Sequence, residues 1–257
     1  MGIKKVLTTM VFAGSVIITP CFAVNAAAVA ADEPAMLTME LHPEMIELQR
    51  ITRNASDGKP LVVIDYASFN LGGCGLSTAN IERVKDINAI YQQYAYKRLD
   101  EYLDMANESL KDQALASSLP FTLKMKPSIV MADSKGLSIL SRYDVNVGGP
   151  HPNYWFSGMN FDASGKALKI TDICTDIHKL CEVLKKEIKK SGYAKHCFNI
   201  DESFINYDNQ NGRDLTFVRT DEAVYFYFSP YSIAPFAAGS TVVKLDYAKY
   251  RKLLKNI

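Results

Sequence analysis

The chain has little of what an enzyme uses at neutral pH. In 257 residues it carries four histidines, His42, His151, His178 and His196, and histidine is the side chain that ordinarily titrates nearest neutrality. None of them stands in an H-x-x-x-H or H-E-x-x-H pair, which excludes the helical zinc-hydrolase motif. There is no G-x-S-x-G elbow, no phosphate-binding P-loop and no dinucleotide fingerprint. The five cysteines include no C-x-x-C pair, the usual spacing of structural zinc sites and thiol redox motifs. The expectation is therefore no metal and no cofactor. An excess of charge is missing as well: 29 Lys and Arg against 28 Asp and Glu give +1, with the signs interspersed. That leaves no electrostatic footprint for nucleic acid, and no whole-chain case for a membrane surface or a polyanion.

What the chain does have begins with its first thirty residues. After Lys4 and Lys5, no charged side chain occurs from Val6 to Ala31, and the run ends in a cluster of alanines. A basic start, an apolar stretch and small residues make a secretory signal peptide, read here as residues 1–30 with cleavage between Ala26 and Ala31. An uncleaved anchor is the rival, since about twenty apolar residues span a bilayer, but Thr8, Thr9, Ser15, Pro20 and Asn25 interrupt the run. A lipoprotein would need Cys21 acylated, and Pro20 before it suits that poorly. The expected product is exported, to periplasm, cell surface or medium, with no membrane span after leader removal. About 225 to 230 residues then remain, enough for one substantial core or two small ones.

Cys74, Cys174, Cys181 and Cys197 stay in the mature chain. An even count in an exported protein predicts disulfides, and four cysteines allow three pairings. Within one helix Cys174 and Cys181 would stand about 10 Å apart along the axis, beyond bridging distance. A bond between them requires Cys174 in the lead-in to that helix. Buried thiols are the alternative, because free cysteine packs as a small hydrophobe.

Along the chain, Met36 to Leu41 and Met45 to Thr52 read as extended, and Leu61 to Phe69 as a strand. From Ile81 to Ala114 apolar residues recur at three- and four-residue steps, the stripe of an amphipathic helix with Asn80 or Asp86 as cap. Phe121 to Met131 contains Pro127, which marks an edge strand or a bulge. Ser138 to Val147, Asn153 to Phe161 and Ala167 to Ile170 form a meander broken by Gly148, Gly149, Pro150 and Pro152. A second amphipathic helix spans Thr175 to Lys190 and stops at Ser191-Gly192. Ser203 to Tyr207, Leu215 to Arg219, Ala223 to Phe228 and Thr241 to Asp246 read as strands, and Tyr247 to Lys255 as a closing helix. The order predicts an α+β fold, antiparallel sheets with two main amphipathic helices packed on them. Residues 31–118 and 119–257 divide it into an N-terminal subdomain and a C-terminal domain, with a hint that the halves are similar.

One pattern is specific enough to carry a resemblance. Gly148-Gly149-Pro150-His151-Pro152-Asn153, Asn160-Phe161-Asp162 and Gly165-Lys166 precede a lysine-rich helix, and Tyr227 to Ser240 reads YFSPYSIAPFAAGS. Over Phe121 to Ile257 this resembles the bacterial domain of unknown function 3298, and Leu61 to Ala114 looks like its usual upstream partner, domain 4163. Relatives form the extracellular part of lysozyme-sensing anti-sigma factors and the N-terminal region of a peptidoglycan deacetylase. The resemblance implies an envelope-facing binding or sensor module, with a lysozyme-like protein or peptidoglycan as partner. This chain shows neither a helix leading to a sigma-binding segment nor the deacetylase's metal-binding pair of histidines.

The candidate contact residues are His151, Asn153, Tyr154 and Trp155 in the glycine-proline turn, with Tyr231 and Phe236 in the loop. Large rings of this kind anchor interfaces, and core packing is the competing role for each. The alternative function is a hydrolase of cell-wall glycan or peptide, with His151 or paired carboxylates as acid and base. A tight turn whose imidazole satisfies local backbone is the plainer account of His151.

Overall fold

The computed structural model describes residues 45–149 and 151–257. The leader, Cys21, His42 and the expected extended segment at Met36 to Leu41 lie outside the described residues. The chain opens with a hairpin of β1 (Ile46–Asn54) and β2 (Pro60–Phe69), turned at Gly58, whose φ is 85°. Helix α1 (Thr78–Ser109) and the short α2 (Gln113–Ala116) cross to β3 (Phe121–Asp133), which runs parallel to β2. β4 (Gly136–Asn146) and β5 (Asn153–Asp162) follow as antiparallel neighbours. Then come α3 (Ile170–Ile173), α4 (Ile177–Lys190), α5 (Ile200–Asn209), β6 (Thr216–Arg219), β7 (Ala223–Phe228), β8 (Thr241–Asp246) and α6 (Tyr247–Tyr250).

Two sheets result, ordered β1-β2-β3-β4-β5 and β6-β7-β8. Three apolar clusters stack them. Ile87, Tyr91 and Leu99 of α1 pack on Ile64, Leu123 and Ile139 of the larger sheet. On that sheet's opposite face Leu140, Tyr154 and Phe156 meet Val218 and Tyr227 of the smaller one. The smaller sheet's far face, with Phe226, Phe228 and Val243, is covered by Leu180, Leu184 and Ile188 of α4. The α+β expectation is met, each amphipathic helix covering one sheet. The larger sheet takes strands from both sides of residue 118, because β2 pairs with β3.

The sheets are joined by polar groups at their crossing. Ser138 Oγ donates to Asn160 Oδ1 at 2.6 Å, Asn160 Nδ2 donates to the Phe217 carbonyl at 2.9 Å, and the Arg219 amide donates to Ser138 Oγ at 3.0 Å. The Arg219 side chain, with the residue 1% exposed, donates to the carbonyl oxygens of Ile257, Lys135 and Phe161 at 2.6, 3.2 and 3.2 Å. One guanidinium thus ties the β3–β4 turn, the end of β5 and the chain's last residues to β6. Gly158 lets the sheets close, since a Cβ there would collide with the Phe217 carbonyl.

Several expectations are corrected. Helix α1 starts earlier than Ile81 and is capped by Ser77, whose hydroxyl accepts from the Asn80 amide; Asn80 is a buried residue donating to the Asp162 carbonyl. At Pro127 β3 is an edge strand, because its pairing with β2 ends at Lys124, and its bulge falls between Ile129 and Met131. The third meander strand reduces to one bridge between Phe161 and Ala167, the chain turning at once into α3. Ser203 to Tyr207 lies in α5: Asn199 accepts from the Asp201 and Glu202 amides, and Phe204 buries against Phe228 at 5.6 Å. The last helix ends at Tyr250 rather than Lys255.

The expected disulfides are absent: Cys74, Cys174, Cys181 and Cys197 are all free thiols. Cys174 does sit in the lead-in to α4, yet its thiol donates to the Asp176 carbonyl at 3.3 Å. Cys181 packs into the α4 core, and burial pushes its thiol up to about 12. Cys74 lies 3.7 Å from the Met45 sulfur, and Cys197 reaches back toward the Tyr193 carbonyl at 3.8 Å. Each is used as a small packing group, with burial raising its pKa.

Two measurements test these assignments. Arg219→Ala, which strands three carbonyls, should lower the unfolding free energy by at least ~3 kcal/mol, and Gly158→Ala by ~2 kcal/mol or more through overpacking. Losses within the error of urea titration would show that the crossing does not hold the sheets. Separately, iodoacetamide at mildly alkaline pH should leave Cys174 and Cys181 unlabelled in the native protein and label both in guanidinium. Peptide mass spectrometry showing a disulfide among the four would overturn the thiol assignment.

Candidate functional site

Strand alternation sorts the expected site residues at the start of β5. Side chains of neighbouring strand residues point to opposite faces, so Tyr154 turns to the smaller sheet and Trp155 to α1. Trp155 stacks on Tyr143 with centroids 5.2 Å apart and planes 2° apart, and Tyr143 meets Tyr94 of α1 edge-on at 5.6 Å. Trp155 belongs to the rim of the α1 core and not to the site. Asn153 holds its own turn, its Oδ1 accepting the Tyr154 amide at 2.8 Å.

The loop after β7 supplies the other half. Ser229 Oγ accepts the Phe156 amide at 3.0 Å, fastening the loop to the outer edge of β5. The Ser232 amide and hydroxyl both donate to the Ser229 carbonyl, and the Tyr231 amide donates to the Ala234 carbonyl at 2.8 Å. This tight turn holds Tyr231 at φ 66°, with the residue 52% exposed. A 3₁₀ turn at Phe236–Ala238 follows, and Tyr193 donates to the Gly239 carbonyl behind it at 2.9 Å.

Together these segments make a cluster of rings. His151 stacks on Phe236 at 3.9 Å with planes 16° apart. Phe236 meets Tyr154 edge-on at 6.1 Å and Tyr231 at 6.0 Å. The Tyr231 hydroxyl lies 3.3 Å from His151 Nε2, while His151 Nδ1 lies 2.9 Å from the Pro152 carbonyl oxygen. A carbonyl only accepts, so Nδ1 carries the proton in the neutral ring, and Nε2 accepts from Tyr231. Arg142 lies over the Tyr154 ring at 4.1 Å and pairs with Asp144 at 2.7 Å, and Lys126 reaches the same carboxylate at 2.6 Å.

Of the six expected residues, His151, Tyr154, Tyr231 and Phe236 come together, Asn153 stands beside them, and Trp155 is on the opposite face. Sequence reasoning missed Lys126 and Arg142. The alternation of β4 held the signal, since Arg142 and Asp144 sit two apart and so share a face. Chemically the arrangement is a half-exposed ring platform with a phenol, an imidazole and a cation at its margins. Among the described residues neither ring nitrogen of His151 meets a carboxylate that would orient it as a general base. Ser229, Ser232 and Ser240 hydroxyls are engaged in holding the loop and Tyr154.

The remaining polar features lie elsewhere. A shallow depression of about 590 Å³ lined by Lys135, Asp162, Ser164 and Asn256 opens at the other end of β5. Among the described residues no group of three His, Cys, Asp or Glu side chains is placed to hold a metal. His178 of α4 meets Asp208 of α5 at 2.6 Å on the surface.

Comparison with known proteins adds a family-profile match over part of the chain. Residues 172–248 match the profile of DUF3298, described as a protein of unknown function. The matched segment holds Tyr231 and Phe236, while His151 and Tyr154 precede it. A DUF3298 member from Bacteroides fragilis aligns at 17% identity and a TM-score of 0.49, covering 82% of this chain and 94% of its own. A DUF3298 protein from Pseudomonas aeruginosa aligns at 15% identity and a TM-score of 0.46, with the same coverage. No curated protein matches the chain.

The Asp208 carboxylate raises the His178 pKa above its ordinary 6.5, mainly through their hydrogen bond. The folded state therefore favours the charged ring. The pair's stabilisation is fully present below pH 6.5 and is lost as pH rises through the higher folded value. In an NMR titration His178 should show a midpoint above that ordinary value, and Asp208→Asn should bring it back down. An unchanged midpoint in the variant would show that the pair does not form in solution.

Proposed function

We propose that this chain is an exported, envelope-facing binding module whose contact surface is the cluster of His151, Tyr154, Tyr231 and Phe236. Its partner is a cell-wall component or a lysozyme-like protein, and the segment from Leu61 to Ala114 acts as the upstream partner domain of the family. The leader at residues 1–30 supports export. The family match supplies no activity, and the weight falls on the site.

The observation that carries the reading is Tyr231. A non-glycine residue in the left-handed region costs about 1 kcal/mol, and such strain collects at functional sites. Here it is spent on a residue whose ring stays half exposed beside a stacked imidazole. Packing gives no account of that, because a ring needed for the core would be covered. Rings with polar tips, apolar on the face and wet at the edge, are the groups that anchor binding surfaces.

Calorimetric titration of the mature chain with a lysozyme, beside retention on purified peptidoglycan, tests this. At least one should show binding that Tyr231→Gly and Phe236→Ala abolish. Because glycine accepts the turn without strain, Tyr231→Gly should shift the unfolding free energy by less than ~1 kcal/mol. A loss of several kcal/mol with binding intact would make Tyr231 a structural residue, and silence from both partners would remove the proposal.

A further inference from the structure

The two edges of the larger sheet differ. The outer backbone of β5 is taken: the Phe156 amide donates to Ser229 Oγ, the Phe156 carbonyl accepts from Thr216 Oγ1 at 3.4 Å, and the Asn160 carbonyl accepts the Leu168 amide at 2.8 Å. β1 is the other edge, and among the described residues no strand pairs with its outer side. Its register fixes which groups point outward. The Met45 carbonyl accepts the Asn70 amide, so odd-numbered residues bond to β2, and the amides and carbonyls of Ile46, Leu48, Arg50 and Thr52 point away from the sheet. The Thr52 carbonyl is met there by the guanidinium of its neighbour Arg53 at 3.2 Å.

The devices that protect an open edge are missing from β1. Its sequence, IELQRITRN, holds no proline and no lysine, and its bulge falls at the last step, between Arg53 and Asn54. Leu48 stands 79% exposed among the outward-pointing groups. Such an edge is a template for another strand.

We infer that its occupant is a second copy of this chain, joined β1 to β1 in antiparallel pairing about a two-fold axis at Arg50. The strand is self-complementary in that register. Symmetry about Arg50 pairs the strand over its whole length and sets Glu47 of one copy opposite Arg53 of the other, twice, with Leu48 opposite Thr52. Both charge pairs fall at the closer, non-hydrogen-bonded positions, because the backbone groups of odd-numbered residues point inward. Within one copy Glu47 lies opposite Ser68 and Arg53 opposite Val62, and neither makes an ion pair among the described residues. Arg50 meets its own mate, and each is already held by an Asp65 at 2.6 and 3.0 Å. Moving the axis to residue 49 sets Glu47 against Ile51, and moving it to 51 sets Arg53 against Gln49, so both alternatives lose overlap and the charge pairs. Any extended peptide has backbone hydrogen bonds to offer; the reciprocal charge match belongs to the strand itself. The ring cluster lies at β5, on the opposite side of the sheet, so pairing leaves it uncovered and a dimer carries two of them. One strand pair is a small interface, and association is therefore reversible.

The full mature chain is followed by sedimentation equilibrium over a range of concentrations, where it should show a reversible monomer–dimer equilibrium. E47R and R53E should each weaken the dimer about tenfold or more, since like charges then face each other twice across the axis, and E47R/R53E should restore it to near wild type. Both side chains are exposed, so circular dichroism should be unchanged in all three variants, and recovery in the double variant separates lost pairing from lost folding. A chain that stays monomeric at its highest soluble concentration overturns the inference and leaves the edge to residues 31–44 or to a foreign strand. A dimer indifferent to either single reversal, or one that the double reversal fails to restore, overturns it equally.

Discussion

The crossing of the two sheets at Arg219 is the constraint on which the rest depends. A guanidinium buried to 1% exposure is held by three backbone carbonyls, while Ser138 and Asn160 stitch β4 and β5 to the backbone of β6. Arg219 Nε makes no hydrogen bond among the described residues, but the bonds made by its two terminal nitrogens and by Ser138 and Asn160 fix one arrangement where apolar packing alone would accept several. The apolar contacts between the sheets are few beside those under α1 and α4. The polar crossing therefore sets how the smaller sheet lies on the larger, and Gly158 sets how close it comes.

The position of the ring cluster follows from that geometry. With β6 locked against β5, the loop after β7 runs back along the outer edge of β5, where Ser229 meets the Phe156 amide. This brings Phe236 onto Tyr154 and beneath His151, although the residues are some eighty positions apart in sequence. The opposite end of β5 is fixed by Arg219 and by the start of α1, where Asn80 and Ser77 reach the Asp162 and Ala163 carbonyls. One strand is thus anchored at its far end by structural hydrogen bonds and meets the exposed rings of His151 and Tyr231 at its near end.

Much of the fold was legible because its long elements have clear periods. The stripes of α1 and α4 and the strand at Leu61 to Phe69 are read directly from apolar spacing. What was not legible depended on partners distant in sequence. Ser203 to Tyr207 has strand-like residues, yet a cap at Asn199 and burial of Phe204 against Phe228 make it helical. Four cysteines behind a leader-like run point to bridges by count, but each thiol faces packing partners instead. At the site, composition found the aromatic residues and the loop that bears one of them. It could not separate Tyr154 from Trp155, because which element covers each face of β5 is decided by where α1 and the smaller sheet dock.

The charges beside Tyr154 show the same limit from another side. Net charge counts residues, whereas recognition depends on which charges share a face and how deeply each is set. Lys124 and Lys126 lie two apart on β3, Arg142 and Asp144 two apart on β4, and strand alternation puts all four on one surface. Lys126 keeps its charge in solvent with the side chain 57% exposed, whereas Arg142 is folded down over the Tyr154 ring. The smaller sheet covers part of this face, so the crossing at Arg219 that builds the core also determines which of these charges stay exposed.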